Sequence, residues 1–171
     1  MGRVILLAGR PGVGKTTIIE EVADRLGGQA GGFYTAEIRE GGRRLGFQIV
    51  TLDGEEGVLA HVNIRGPRVS KYGVNLQDLE GVGVASLERG LARNQYIIID
   101  EIGKMELYST KFKKVVLEAV ESDKVIVGTV MAGPHPWVDD LKARPGVTLL
   151  QVTEANREGM AERILGMLGE R

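Results

Sequence analysis

Residues 4–8 form an unbroken apolar run, Val-Ile-Leu-Leu-Ala, and largely apolar runs lie at 96–100, 125–130 and 147–152. Apolar residues at consecutive positions, not at alternate ones, predict buried strands of a parallel sheet. Between these runs the period changes. Ile18, Val22 and Leu26 form one stripe over 15–26, closed by Gly27-Gly28. Phe112, Val115, Val116, Ala119 and Val120 share a face over 110–121, and Met160, Ile164 and Leu168 share one over 157–168. That spacing predicts helices. A further helix is expected over 76–92, weakened by Gly81, Gly83 and Gly90, and a short one over 136–143. Residues 32–40 and 43–51 read as strands joined by Gly41-Gly42, whose access to positive φ suits a tight hairpin. Asp53-Gly54 marks another turn before a short strand over 57–62. The polar stretch 63–73, with Arg65, Arg68 and Lys71, is expected to be a mobile surface loop.

Strands alternating with helices predict an α/β fold: an open, mostly parallel sheet flanked by helices, with the hairpin as an antiparallel addition. No repeat, low-complexity tract or linker interrupts it, and 171 residues suit one domain over 1–171. The net charge of -1 supplies no overall basic field for nucleic acid or an anionic membrane. Cysteine is absent, which removes disulfides and thiolate metal sites, and the apolar run at 4–8 is too short to span a bilayer. A soluble cytoplasmic protein is the expectation.

Chemistry enters at Gly9-Arg10-Pro11-Gly12-Val13-Gly14-Lys15-Thr16, which fits G-x-x-x-x-G-K-[ST]. The glycines let backbone N–H groups turn inward around phosphate oxygens, and the following helix points its positive end at the same anion. Lys15, expected to face solvent in the empty protein, reaches the β- and γ-phosphates; the Thr16 hydroxyl binds Mg²⁺. Thr17 completes the phosphate-binding set. The run Tyr96-Ile97-Ile98-Ile99 ends in Asp100-Glu101. At the carboxyl end of a strand beside a phosphate loop, Asp100 is assigned to the metal. Neighbouring strand residues point to opposite faces, so Glu101 takes a different task, orienting and deprotonating water. Glu106 and Glu37 are the next candidates for a base.

Several segments match a known family. Gly32-Phe33-Tyr34-Thr35-Ala36-Glu37-Ile38-Arg39 resembles its G-F-Y-T-x-E-I-R, Lys71-Tyr72-Gly73-Val74 its K-Y-G-V, and Asn156-Arg157 its N-R. Asp100-Glu101-Ile102-Gly103-Lys104-Met105-Glu106-Leu107 resembles its D-E-I-G-K-M-E-L, the most specific block. With the phosphate loop, the chain resembles the small nucleoside-triphosphatase family first described from thermophiles, with relatives in archaea and animals. The resemblance implies a monomeric P-loop domain related to RecA-like and AAA+ folds. It also implies hydrolysis of several nucleoside triphosphates to diphosphate and phosphate with Mg²⁺. One departure is Met131, where the family often has His.

Other residues carry two readings. Lys104 is either a solvated loop lysine or a group that stabilises γ-phosphate charge; Arg39 is either a strand charge or a similar finger. Asn156 and Arg157 either pack on the base or, for Asn156, cap a helix. Trp137 reads better as packing than as a base platform, and His61 and His135 lack metal-ligand company. The rival functions are a nucleotide or small-molecule kinase, with 63–73 as its lid, and a regulatory switch GTPase, whose N-K-x-D motif is missing. No specific nucleic-acid partner is expected.

Overall fold

The computed structural model describes residues 3–169. Its strands are β1 (Arg3–Ala8), β2 (Ala30–Glu40), β3 (Arg43–Thr51), β4 (Glu56–His61), β5 (Arg68–Val69), β6 (Tyr72–Val74), β7 (Tyr96–Ile102), β8 (Val125–Val130) and β9 (Val147–Gln151). Its helices are α1 (Lys15–Leu26), α2 (Leu76–Asp78), α3 (Ala85–Arg93), α4 (Thr110–Glu121), α5 (Pro136–Lys142) and α6 (Met160–Met167). Among the described residues the strands join in one sheet of order β5-β6-β4-β3-β2-β7-β8-β1-β9. The half from β2 to β9 is parallel, and β3, β4, β6 and β5 extend it antiparallel.

The apolar run of β1 divides its side chains between two cores. Val4, Leu6 and Ala8 join Phe33, Ile97, Ile99, Leu87, Phe112, Val116 and Val138 on one side of the sheet. Ile5 and Leu7 join Ile98, Val127, Ile18, Val22, Leu26, Met160 and Ile164 on the other. A continuous apolar strand therefore has a partner for every side chain, at about 1.5–3 kcal/mol for each large one buried. Helices on both faces hold the parallel strands so that their carboxyl ends share one rim.

Three expectations change. The stretch 63–73 is not simply a loop, because Arg68–Val69 and Tyr72–Val74 pair as a hairpin that docks on β4. Tyr72 is buried there, its ring 5.3 Å from that of Phe47 and its hydroxyl accepting from Arg44 Nε at 2.9 Å. The helix expected over 76–92 forms, but its middle, Leu79–Val84, is a π-helical segment running through Gly81 and Gly83. Glycine tolerates the wider turn, which places Leu79 and Val84 inward. The fourth strand expected as buried, β9, is a sheet edge with Thr148 and Leu149 exposed, because no strand among the described residues pairs with its outer side. The Gly41-Gly42 turn takes positive φ at both residues, 58° and 77°, as expected.

The turn after β3 is tied to α3 by charge. Arg89 donates to Asp53 at 2.8 and 3.0 Å and to Glu55 at 3.1 Å, and Thr51 Oγ1 donates to Asp53 at 2.6 Å. The bonds from Arg89 first, and from Thr51 next, bring the Asp53 carboxyl down to about 2. A depressed carboxyl stabilises the fold above its ordinary titration range, and the contribution is lost as pH falls toward the depressed value. Because Asp53 is half exposed, solvent screening keeps the effect at or below about 1 kcal/mol. Asp53→Asn should therefore lower the urea midpoint slightly at pH 7, with the difference fading as the pH falls below about 4. Equal midpoints at neutral pH would remove this tie from the fold's support.

Candidate active site

The loop between β1 and α1 carries the phosphate motif. Gly12 and Gly14 hold φ of 80° and 111°, a region closed to most side chains. At Gly9 a Cβ would stand 2.8 Å from the Val152 carbonyl oxygen, so the loop also needs glycine to pack against the end of β9. Gly14 is the N-cap of α1, with no side-chain capping bond and no acidic residue in the first turn. The helix N-terminus is thus left to an anion from outside.

Lys15 does not face solvent. Its side chain is 9% exposed, and Nζ donates to the Gly9 carbonyl at 3.0 Å, the Val130 carbonyl at 3.3 Å and Glu101 Oε2 at 3.3 Å. An ammonium held in a pocket is costly to desolvate, and the protein oxygens around it supply that compensation. Beside it, Thr16 Oγ1 donates to Asp100 Oδ2 at 3.1 Å. Asp100 is 2% exposed and accepts also from Thr129 Oγ1 at 2.7 Å and the Thr35 N–H at 3.3 Å. Burial pushes the Asp100 carboxyl up, against the bonds from Thr129, Thr35 and Thr16 and the charge of Lys15. Burial also raises Glu101, Lys15 pulls it back, and Asp100 pushes it up again.

The expected alternation of Asp100 and Glu101 to opposite faces does not hold. The β7–β8 register shifts between Ile99 and Ile102, so regular pleating stops at the acidic pair. Both carboxylates flank the phosphate loop, yet each has its own partner there, Thr16 for Asp100 and Lys15 for Glu101.

A family described as NTPase matches residues 4–165. The chain belongs to this NTPase family. It is similar to nucleoside-triphosphatase THEP1 of Thermotoga petrophila, with 52% identity over 165 residues, 96% of this chain and 92% of the relative. It is also similar to nucleoside-triphosphatase THEP1 of Methanocaldococcus jannaschii, with 43% identity over 168 residues, covering 96% of each. The crystal structure of THEP1 from the hyperthermophile Aquifex aeolicus superposes with a TM-score of 0.89 at 36% identity, covering 96% of this chain and 98% of that one. The solution structure of a human cancer-related nucleoside triphosphatase gives 0.83 at 35% identity, covering 98% and 97%. The fold is that of the P-loop NTPases.

The remaining site residues of this NTPase fall into groups. Arg157 lies across the phosphate loop: Nη1 donates to the Val13 carbonyl at 3.3 Å, and Cδ is 3.6 Å from where a Gly14 Cβ would be. Asn156 does not cap the helix after it. Its Oδ1 accepts from the Thr153 N–H at 2.8 Å and its Nδ2 donates to the Gln151 carbonyl at 2.8 Å, so it folds the loop that presents Arg157. Arg10 is exposed and 3.6 Å from Glu154, and Pro11 and Thr17 are exposed beside it. Lys104 stands exposed on the turn after β7.

Other candidates lie apart. Arg39 sits four residues beyond Thr35 on β2, roughly 13 Å along the strand, bound to Glu37 at 2.7 Å and the Gly42 carbonyl at 3.1 Å. Glu37 is held there with it. His61 Nδ1 accepts from the Asn63 N–H, and His135 Nδ1 from the Trp137 N–H at the start of α5. Trp137 packs against the core. Met131 is buried at the end of β8, its N–H on the Ile102 carbonyl.

Thr35 and Thr129 went unnoticed as site residues. Thr129 is a neighbour of Asp100 only because β7 pairs with β8 in the register Ile99 to Gly128, which no local pattern announces. Lys15→Ala should raise the dissociation constant of a non-hydrolysable triphosphate by ~10–100-fold, the worth of a charge-assisted hydrogen bond. Circular dichroism should show the fold retained. Unchanged affinity would sink the phosphate-loop assignment.

Proposed function

We propose that the chain hydrolyses nucleoside 5′-triphosphates to diphosphate and phosphate with Mg²⁺. The observation that carries this reading is the contact of Glu101 with Lys15 at 3.3 Å beside the Thr16–Asp100 pair. A phosphate-binding lysine, a metal-binding hydroxyl, a buried carboxylate and a second carboxylate suited to a base meet at one point.

The donor set suits Mg²⁺. That ion takes hard oxygen ligands, few of them from protein, and keeps water and substrate phosphate for the rest. Among the described residues no group of three His, Cys, Asp or Glu forms a cage for a metal. Thr16 and Asp100, already in contact with each other, would hold the ion beside the phosphates. When bound, Mg²⁺ neutralises charge on the β- and γ-phosphates. Lys15 exchanges its protein oxygens for phosphate oxygens, and the Gly9–Gly14 backbone N–H groups take the rest of the triphosphate. The oxygen of water attacks the γ-phosphorus, and the bond from that phosphorus to the β–γ bridging oxygen breaks. The proton of the water passes to the Glu101 carboxylate. Burial serves this step, since a raised carboxyl is a stronger acceptor than an ordinary one. Loss of the Lys15 charge to phosphate raises it further.

Arg157 presents a flat guanidinium beside Val13 and Gly14, a surface on which any base stacks. Recognition concentrated on phosphate, with one planar stacking partner, favours a permissive enzyme. A kinase is the second reading, supported by a cavity of about 320 Å³ beside Gly9 and Arg10, lined also by Lys142, Gln151 and Thr153.

Phosphate release from a panel of purine and pyrimidine triphosphates, with and without Mg²⁺ and with no second substrate, tests the function. Release is expected from all of them, with kcat/KM spread over less than about two orders of magnitude. Release only when an acceptor is added would transfer the assignment to a kinase, and a hundredfold preference for one base would refute permissiveness. Two substitutions separate the carboxylates. Asp100→Asn should raise the Mg²⁺ concentration needed for activity. Glu101→Gln should lower kcat by ~10²–10⁴-fold while leaving Mg²⁺–nucleotide binding close to normal. A near-wild-type rate for Glu101→Gln would remove Glu101 as the base.

A further inference from the structure

Glu106 is a carboxyl that the reaction as drawn leaves without a task. It begins the 3-10 turn Glu106–Tyr108 that follows β7, and it is 3% exposed. The other buried carboxyl, Asp100, has donors from three threonines around it, whereas no cation pairs with Glu106 among the described residues. What lies near it is a second acid. A Cβ built on Gly103 would stand 2.7 Å from Glu101 Oε1 and 3.3 Å from Glu106 Oε1. The absent side chain of Gly103 is therefore the gap across which the two carboxyl groups approach each other. Glu101 turns its other oxygen, Oε2, to Lys15.

We propose that Glu106 is a positioning residue for Glu101: a buried, neutral carboxylic acid that offers its O–H to the Glu101 carboxylate across Gly103 once Lys15 has turned to a triphosphate. This rests on Glu101 being the base. In the empty site Lys15 fixes Glu101. A triphosphate competes for that ammonium, and Glu101 would lose this charged partner at the moment it must aim at water. A neutral acid behind it supplies a donor without adding charge.

The surroundings keep Glu106 neutral. Burial pushes its carboxyl well above the ordinary range, and Glu101 and Asp100 on β7 add to this, against the backbone N–H groups of Glu106 and Gly103. Lys104 on the same turn is exposed. The α4 helix, packed on this turn, carries Lys111, Lys113 and Lys114, none of them paired with Glu106 among the described residues. Tyr108, on the turn itself, is half exposed. A protonated carboxyl has one donor and keeps acceptor capacity for the backbone N–H groups; a carboxylate only accepts. Seclusion from solvent also argues against Glu106 as a reserve base.

Glutamine reproduces the neutral acid, with one amide donor and one carbonyl acceptor, and leucine reproduces only its bulk. Infrared spectra at neutral pH should show a protonated carboxylic-acid carbonyl band that is lost in Glu106→Gln. Glu106→Gln should keep kcat within about threefold and should abolish a fall of kcat at alkaline pH, where wild-type Glu106 ionises beside Glu101. Glu106→Leu should lower kcat by ~10–100-fold, the range for a misplaced reacting group, with affinity for a non-hydrolysable triphosphate unchanged. The proposal is overturned by absence of the band, by Glu106→Gln being as slow as Glu106→Leu, by an alkaline limb that persists in Glu106→Gln, or by near-wild-type turnover of Glu106→Leu. Should Glu106→Leu fail to fold, the band and the glutamine variant decide. The band is read without turnover, so a failure of the Glu101 assignment, seen in Glu101→Gln, is distinguishable from a failure here.

Discussion

One buried ammonium faces an excess of buried acid, and the site is organised by that imbalance. Lys15 is the only cation in the core among the described residues, while Asp100 and Glu106 are buried and Glu101 is partly so. Glu20, on the next turn of α1, is raised as well, by its own burial first and then by Asp100 and Asp24. In a low-dielectric pocket, each unpaired negative charge is expensive, so the acids are held by donors or by protons. Thr16, Thr35 and Thr129 hold Asp100, and Lys15 holds Glu101. In the proposed reaction, a magnesium triphosphate would bring both the cation that the acids lack and the anion that Lys15 and the N-terminus of α1 lack. Its binding would also free Glu101 from its ion pair with Lys15, and so would couple occupancy of the phosphate loop to readiness for chemistry.

The sheet makes this possible by bringing three strand ends to one place. β1 delivers the phosphate loop, β7 the acidic pair, and β8 Thr129 with the Val130 carbonyl that accepts from Lys15. β2 adds Thr35 from the other side of β7. None of these contacts is local: Lys15 and Glu101 are 86 positions apart and Lys15 and Val130 are 115 apart. They depend on parallel strands covered on both faces, and so on the two cores that α1 with α6, and α3 with α4 and α5, complete. The antiparallel extension lies beyond β2 and contributes no carboxylate to the cluster. Within it Arg44 donates to the Tyr72 hydroxyl, and at its border with β2 Arg39 pairs with Glu37.

Local pattern determined a good deal. The bounds Lys15–Leu26, Thr110–Glu121, Arg43–Thr51 and Val125–Val130 were legible in periodicity and in glycine punctuation, because a helix stripe and a strand run are properties of neighbouring residues. The phosphate motif was legible for the same reason, since one loop and one helix end build it. Asp100 and Glu101 could be placed near it by the rule that ligands gather at the carboxyl ends of strands. Tertiary structure alone decided the rest. It turned both carboxylates to the phosphate loop through a shifted register, buried Lys15 against them, and made β9 an edge despite its apolar run. It also seated Tyr72 under Arg44 in a stretch that reads as polar loop. Thr129 carries no signal in its own neighbourhood, and the segments that hold Thr35 and Glu106 do not show what those side chains touch. Their roles arise from which strand lies beside which, and a side chain's electrostatic environment is a sum over residues remote in the chain.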